Sequence, residues 1–226
     1  MQNYVYTPLG DLLFNIYNHT NDIGWSIVAI TLIVKICLLP LNIKAALDGE
    51  KTQRILKKLK PKQDKIKELH KGDKMKEALA MQELYKSENF NPLSGLLSLF
   101  ILILQMPIIF GLYHVINQKL VGDINHIAFG LFDITHKYIW MGLLSGLTMY
   151  ILGNVTTKAQ NIESTNEMQA AMMSSMKMSM VYTLPIMMGI FGGFVLQSGI
   201  GIYLVTSNIF GLVQFYITNY FKKRIV

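Results

Sequence analysis

No aspartate or glutamate falls inside any of the long apolar stretches of this sequence, and only one lysine or arginine, Lys35, does. That argues against a proton- or cation-coupled pump, which relays charge through intramembrane carboxylates or histidines and would find only His114, near one end of a stretch. The single cysteine, Cys37, excludes an internal disulfide and leaves the redox compartment unread. Residues 1–22 contain no lysine or arginine and no small-residue cleavage site behind an apolar core, so the N-terminus does not read as an intact signal peptide. Phosphate-binding loops, HExxH and GxSxG signatures are absent, and Ser, His and Asp form no recognisable catalytic set. The expectation is a protein that is not an enzyme, with no catalytic residue, metal site or cofactor. Charge is scarce as well, at 15% of residues against 51% hydrophobic, and the mean hydropathy is +0.34.

That composition belongs to a membrane protein. Stretches near the length that spans ~30 Å of hydrocarbon occur at 23–43, 93–116, 138–154, 179–197 and 199–219. The fold class expected is all-α, polytopic, with five transmembrane helices. Upstream, Leu9, Leu12, Leu13, Ile16 and Tyr17 recur at helical spacing, which predicts that 1–22 is an extracytoplasmic amphipathic segment at the membrane surface.

Basic residues set the orientation. Thirteen Lys/Arg stand against eight Asp/Glu between 44 and 91, and Lys222, Lys223 and Arg224 close the short tail at 220–226. Positive flanks stay cytoplasmic, so the expected topology is N-out and C-in. Ile55, Leu59, Ile66 and Leu69, then Met75, Leu79 and Leu84, follow helical spacing on either side of "HKGD" at 70–73. This predicts a cytoplasmic helical hairpin over 44–91, kinked in its first arm at Pro61. Two roles stand open for it, a solvated spacer whose lysines face headgroups and a docking surface. No motif for specific nucleic-acid binding accompanies its charge.

Lys35 sits about 18 Å into the ~30 Å core of the first span, counted from Ile23. It could snorkel to the inner interface. However, Thr31 four residues before it and Asn42 seven after share its helix face. Ser94, Ser98 and Gln105 form a similar stripe on the second span, and Tyr203, Ser207, Gln214 and Thr218 on the fifth. Singly, each is ordinary interhelical glue; aligned, they suggest one wet face. Ser145 could join it, although Gly142 and Gly146 beside it fit close helix packing equally well. An ammonium with no carboxylate at its depth needs water or an incoming anion, so the stripes point to a hydrophilic groove in which a guest pairs with Lys35. Methionines at 168, 172, 173, 176, 178 and 180 precede the fourth span and fit an interfacial helix or a surface for apolar guests.

The chain resembles the YidC-type membrane protein insertases from about residue 5 to 221. The carriers are "GWSIVAITLIVKICLLPLNIK", "LKPKQDKIKEL", "LYKSENFNPLSGLLSLFILILQMPIIFGLY" and "IYLVTSNIFGLVQFY", in that order. The resemblance implies five spans around a hydrophilic groove open to cytoplasm and lipid and closed on the outer side. It places the groove cation at Lys35, a glutamine at Gln105 and polar positions of the last span at Ser207, Asn208 and Gln214. The candidate client-binding set is therefore Lys35, Gln105, Thr31, Asn42, Ser98, Tyr203, Ser207, Asn208 and Gln214. Nascent membrane proteins and the lipid bilayer are the implied partners, with the ribosome and the Sec translocon as further candidates. The chain departs from the family where arginine is commoner than Lys35, at Leu196-Gln197-Ser198-Gly199 in place of Leu-Pro-Ala-Gly, and at Tyr203-Leu204 in place of Tyr-Trp. A small-molecule or anion transporter could use an unpaired lysine in the same way and is the alternative.

Overall fold

The computed structural model describes residues 7–88, 109–111, 113, 125–159, 174–175 and 177–225. Helices dominate: α1 (Thr7–Thr20), α2 (Ile23–Leu69), α3 (Lys74–Ser87), α4 (Ile139–Ala159), α5 (Leu184–Ile190) and α6 (Ser198–Ile225), with a two-stranded hairpin of β1 (Ile127–Ala128) and β2 (Phe132–Asp133). Turns of π-helix, Ser179–Thr183 and Phe191–Val195, extend α5 in both directions, giving a continuous fourth helical stretch. Among the described residues, three helices are long and apolar enough to cross a membrane: α2, and the segments Ile139–Lys158 and Ser198–Lys222. Ser179–Val195 is apolar and shorter. The protein is an all-α membrane protein. The stretch expected at 93–116 falls almost wholly outside the described residues, as do methionines 168, 172, 173 and 176.

The chain divides into two compact units, Met1–Leu39 with Gln105–Ile225, and Pro40–Leu104. In the first, the start of α2 is fixed by local chemistry. Asp22 Oδ1 accepts the amides of Gly24 at 2.7 Å and Trp25 at 3.1 Å, satisfying two of the donors that a helix N-terminus leaves unpaired. The turn of the β1–β2 hairpin lies on that first turn. A Cβ on Gly24 would come within 2.8 Å of both Ala128 and the Phe129 ring, and Trp25 meets Phe129 edge-on at 5.3 Å. The α6 N-terminus attaches to the same hairpin. Ser198 Oγ donates to the Asp133 carbonyl at 2.9 Å, while the amides of Ser198 and Gly199 donate to His136 at 2.9 Å and Ile134 at 3.0 Å. Beneath it lies an apolar core built from Leu13 of α1, Ile23, Ile27 and Ile30 of α2, Ala128 and Ile134 of the hairpin, Met141 of α4, and Ile200 to Leu204 of α6. The amphipathic α1 thus buries Leu13 in this core and leaves Leu12 and Phe14 outside.

Close helix contact is concentrated on α4. A Cβ on Gly142 would stand 2.3 Å from the Gly189 carbonyl oxygen, and one on Gly153 2.4 Å from that of Met180, so α4 and the fourth stretch cross backbone to backbone. Gly142-x₃-Gly146 and Gly189-x₃-Gly193 supply the small residues that such an approach in lipid requires. The fourth stretch ends where Leu196 turns extended, and α6 begins two residues later.

In the second unit, the arm of α2 beyond Pro40 turns back into α3. Gly72, at φ +103°, makes the reversal in a conformation that side-chain-bearing residues rarely adopt. Asp73 then caps α3 by accepting the Lys76 amide at 3.1 Å. That bond, first among several contacts, holds the Asp73 carboxyl below its ordinary pKa. Lys62 pairs with Glu88 across the two arms, and the Gln63 amide reaches the Tyr85 hydroxyl at 3.4 Å. The sequence suggested separate elements for the first span and the first arm; they form a single 47-residue helix. Pro40 and Pro61 both lie inside it, and neither ends it.

Candidate functional site

Below Ile30, α2 turns from core to polar. Thr31 is buried, and its hydroxyl donates at 2.6 Å to the Ile27 carbonyl of its own helix, which satisfies it without a neighbour. One turn further, Lys35 is half-buried between exposed Ile33 and Ile36. It makes no hydrogen bond or ion pair among the described residues. The described carboxylates of its unit are Asp11, Asp22 and Asp133. Asp22 caps the helix 13 positions upstream, about 20 Å along the axis. Asp133 belongs to the β1–β2 hairpin. Burial alone would raise the Asp133 pKa, but the Thr135 hydroxyl at 2.6 Å and amide at 2.8 Å outweigh it and hold the carboxyl below its ordinary value. It also faces His136 at 3.4 Å. None of these three forms an ion pair with Lys35.

The polar stripe of α6 divides into two kinds of residue. Asn208 is buried, and its amide nitrogen donates to the Ser145 carbonyl at 3.3 Å and the Thr148 hydroxyl at 3.1 Å on α4. Thr148 in turn donates to the Ser145 carbonyl at 3.0 Å. This cluster locks α6 to α4. Tyr203 and Ser207 are buried and Gln214 is half-buried on the same helix. Ser145 belongs to the α4 crossing, with its hydroxyl on the Gly142 carbonyl at 2.9 Å. Thr148 is not among the residues the sequence singles out; its position three residues after Ser145, within one helical turn, is the available signal.

The first unit therefore contains Thr31 and Lys35 on α2 with Tyr203, Ser207, Asn208 and Gln214 on α6. Asn42, half-buried, belongs to the second unit. Ser98 and Gln105 lie outside the described residues. Among the described residues, no group of three or more His, Cys, Asp or Glu side chains could hold a metal ion.

A model of the family described as 60Kd inner membrane protein matches residues 15–224. The chain belongs to that family. A curated relative from Fusobacterium nucleatum, Membrane protein insertase YidC, is 29% identical over 222 residues, covering 95% of this chain and 96% of that protein. The protein of that name from Campylobacter jejuni is 31% identical over 218 residues, covering 96% of this chain and 38% of its own. The one from Staphylococcus haemolyticus is 28% identical, covering 96% and 72%. The chain thus spans nearly all of the first relative and little more than a third of the second. A crystal structure of an active YidC insertase, with its first transmembrane domain resolved, superposes with a TM-score of 0.62 at 24% identity, covering 95% of this chain and 46% of that one. The fold is shared, and the protein is integral to the bacterial inner membrane.

Proposed function

We propose that this chain is a membrane protein insertase in which Lys35 receives acidic residues of nascent membrane proteins. The single observation that carries the mechanism is the half-buried ammonium with no carboxylate partner among the described residues of its unit. Family membership supports the function, and insertase is the name borne by each relative described above. The packed apolar cap formed by α1, the hairpin and the α6 N-terminus supports a groove closed on the outer side. Thr31, Asn42, Ser98, Gln105, Tyr203, Ser207, Asn208 and Gln214 are its candidate polar lining. Of these, Asn208 acts chiefly by holding α6 against α4. The chain lies N-out and C-in, with the α2–α3 hairpin in the cytoplasm.

A client docks at the hairpin, handed over by the ribosome or beside the Sec translocon. Its short polar segment enters the groove, where water and polar groups lower the cost of leaving bulk solvent. Its acidic residue pairs transiently with Lys35. The apolar segment then passes sideways into lipid, favoured by about 0.8 kcal/mol per buried CH₂. No covalent step and no nucleotide are required. The transporter alternative has no support from the relatives or the fold.

The test is site-specific crosslinking to ribosome-bound nascent chains from positions 35, 105 and 207, combined with Lys35→Glu and Lys35→Arg. Crosslinks from all three positions are expected. Lys35→Glu slows insertion of clients with acidic tails by roughly tenfold, about 1.4 kcal/mol, and Lys35→Arg preserves it. Normal insertion of acidic-tailed clients by a stably accumulated Lys35→Glu protein would remove the charge role.

A further inference from the structure

On the side of α4 turned away from α6, an open furrow of about 380 Å³ runs between α4 and the fourth helical stretch. Ile139, Leu143 and Leu147 form one wall and Ile186, Ile190 and Phe194 the other. All six are exposed. Gly146 and Gly189 lie along the floor and, having no side chains, leave the space between the walls unfilled. From Ile139 to Tyr150, the lining residue at the far end, the furrow follows α4 for roughly 16 Å at ~1.5 Å per residue. That is about half of a ~30 Å hydrocarbon core, the depth of one leaflet.

The end of the furrow at the start of α4 has an interfacial character. Trp140 packs edge-on against Phe132 at 4.8 Å, and Tyr138 meets the same Phe132 ring at 5.7 Å. Such a cluster of amphipathic rings marks headgroup depth. Lys137, two residues before Ile139, is exposed and makes no ion pair among the described residues. A predominantly apolar furrow one leaflet deep, with an aromatic girdle and a cation without an ion pair among the described residues at its mouth, fits an anionic amphiphile.

We propose that this furrow seats one acyl chain of an anionic phospholipid from the surrounding leaflet, with the lipid phosphate held at Lys137. The site lies on the α4–α5 face and is independent of the groove assigned to Lys35. Trp140, beside the mouth, reports its occupancy.

The experiment uses the full chain carrying Trp25→Phe, which leaves Trp140 as the only tryptophan. The protein is reconstituted in phosphatidylcholine vesicles containing a minor fraction of brominated phosphatidylglycerol or, separately, brominated phosphatidylcholine. Trp140 quenching by the anionic lipid is expected to exceed its mole fraction by about fivefold, the weight of one basic residue at an anionic surface. The zwitterionic lipid should quench in proportion to its mole fraction. The excess should vanish in Lys137→Gln, and in Leu143→Phe/Leu147→Phe, which fills the furrow from exposed positions. Loss in Lys137→Gln but not in the filled variant would reduce the effect to headgroup attraction and overturn the seated chain. Persistence in Lys137→Gln, or quenching at mole fraction for both lipids as expected of a furrow covered by another helix or a second copy, overturns the proposal outright.

Discussion

Gly142→Ala and Gly189→Ala look equivalent in the sequence, since each changes one glycine of a Gly-x₃-Gly pair, yet they should differ by about 3 kcal/mol. At Gly142, the added Cβ stands 2.3 Å from the Gly189 carbonyl oxygen and 2.4 Å from the Gly193 nitrogen. Ordinary contact begins near 3.4 Å, so the crossing must open by about 1 Å. Both obstacles are backbone, and neither helix can yield by rotating a side chain. Overpacking of this kind costs about 1–3 kcal/mol, and the backbone obstacles place Gly142→Ala at the upper end. A Cβ on Gly189 meets only the Gly142 carbonyl oxygen at 3.7 Å. That is ordinary contact, so alanine there is neutral or gains part of the ~1 kcal/mol by which it outranks glycine in helices. Gly49, with nothing within 4 Å of its added Cβ, serves as a control and should also gain. Reversible unfolding in mixed micelles, titrated with a denaturing detergent, measures all three. Equal destabilisation by Gly142→Ala and Gly189→Ala would refute the crossing geometry.

Several further outcomes are expected. Asn208→Leu removes both ties to α4; with interhelical bonds in membranes averaging about 0.6 kcal/mol each, it should cost roughly 1 kcal/mol in the same assay. Folding holds the Asp133 carboxyl below its ordinary pKa, so its contribution is fully present above the unfolded value and disappears as pH falls through the lowered one. The Asp133-dependent part of the fluorescence of Trp25 and Trp140, which pack on the hairpin, should therefore be lost only in strong acid. Lys62→Ala breaks an exposed pair and should shift stability by under about 1 kcal/mol, with insertion activity unchanged. Deleting residues 50–85 should abolish client recruitment while the spans remain in the membrane; full activity after that deletion would make the hairpin a spacer.

Apolar length, the absence of carboxylates and the position of Lys35 are properties of composition along the chain. For that reason the all-α membrane fold was legible before any coordinates, as was the presence of a lone lysine within the first apolar stretch. The hairpin reversal was legible as well, because a glycine between two amphipathic segments is a local signal. Less was readable in the polar stripes. Helical spacing assigns Thr31 and Ser207 to faces, and the family resemblance adds Asn208, but neither carries information about which polar atom a neighbour already satisfies. Thr31 proved to bond within its own helix and Asn208 to bond across to α4. Ser198, one of the positions where the chain departs from its family, owes its importance to a carbonyl 65 residues away.

The sequence by itself determined that this chain enters a membrane and that one lysine lies within its first apolar stretch, since burial of apolar surface and the cost of a charge in hydrocarbon act on each segment separately. Only the tertiary structure decided which glycine bears the crossing, which polar side chains are engaged between helices, and that a furrow remains on the outside of α4. Those outcomes depend on distances between segments remote in the chain, where a fraction of an ångström separates contact from collision.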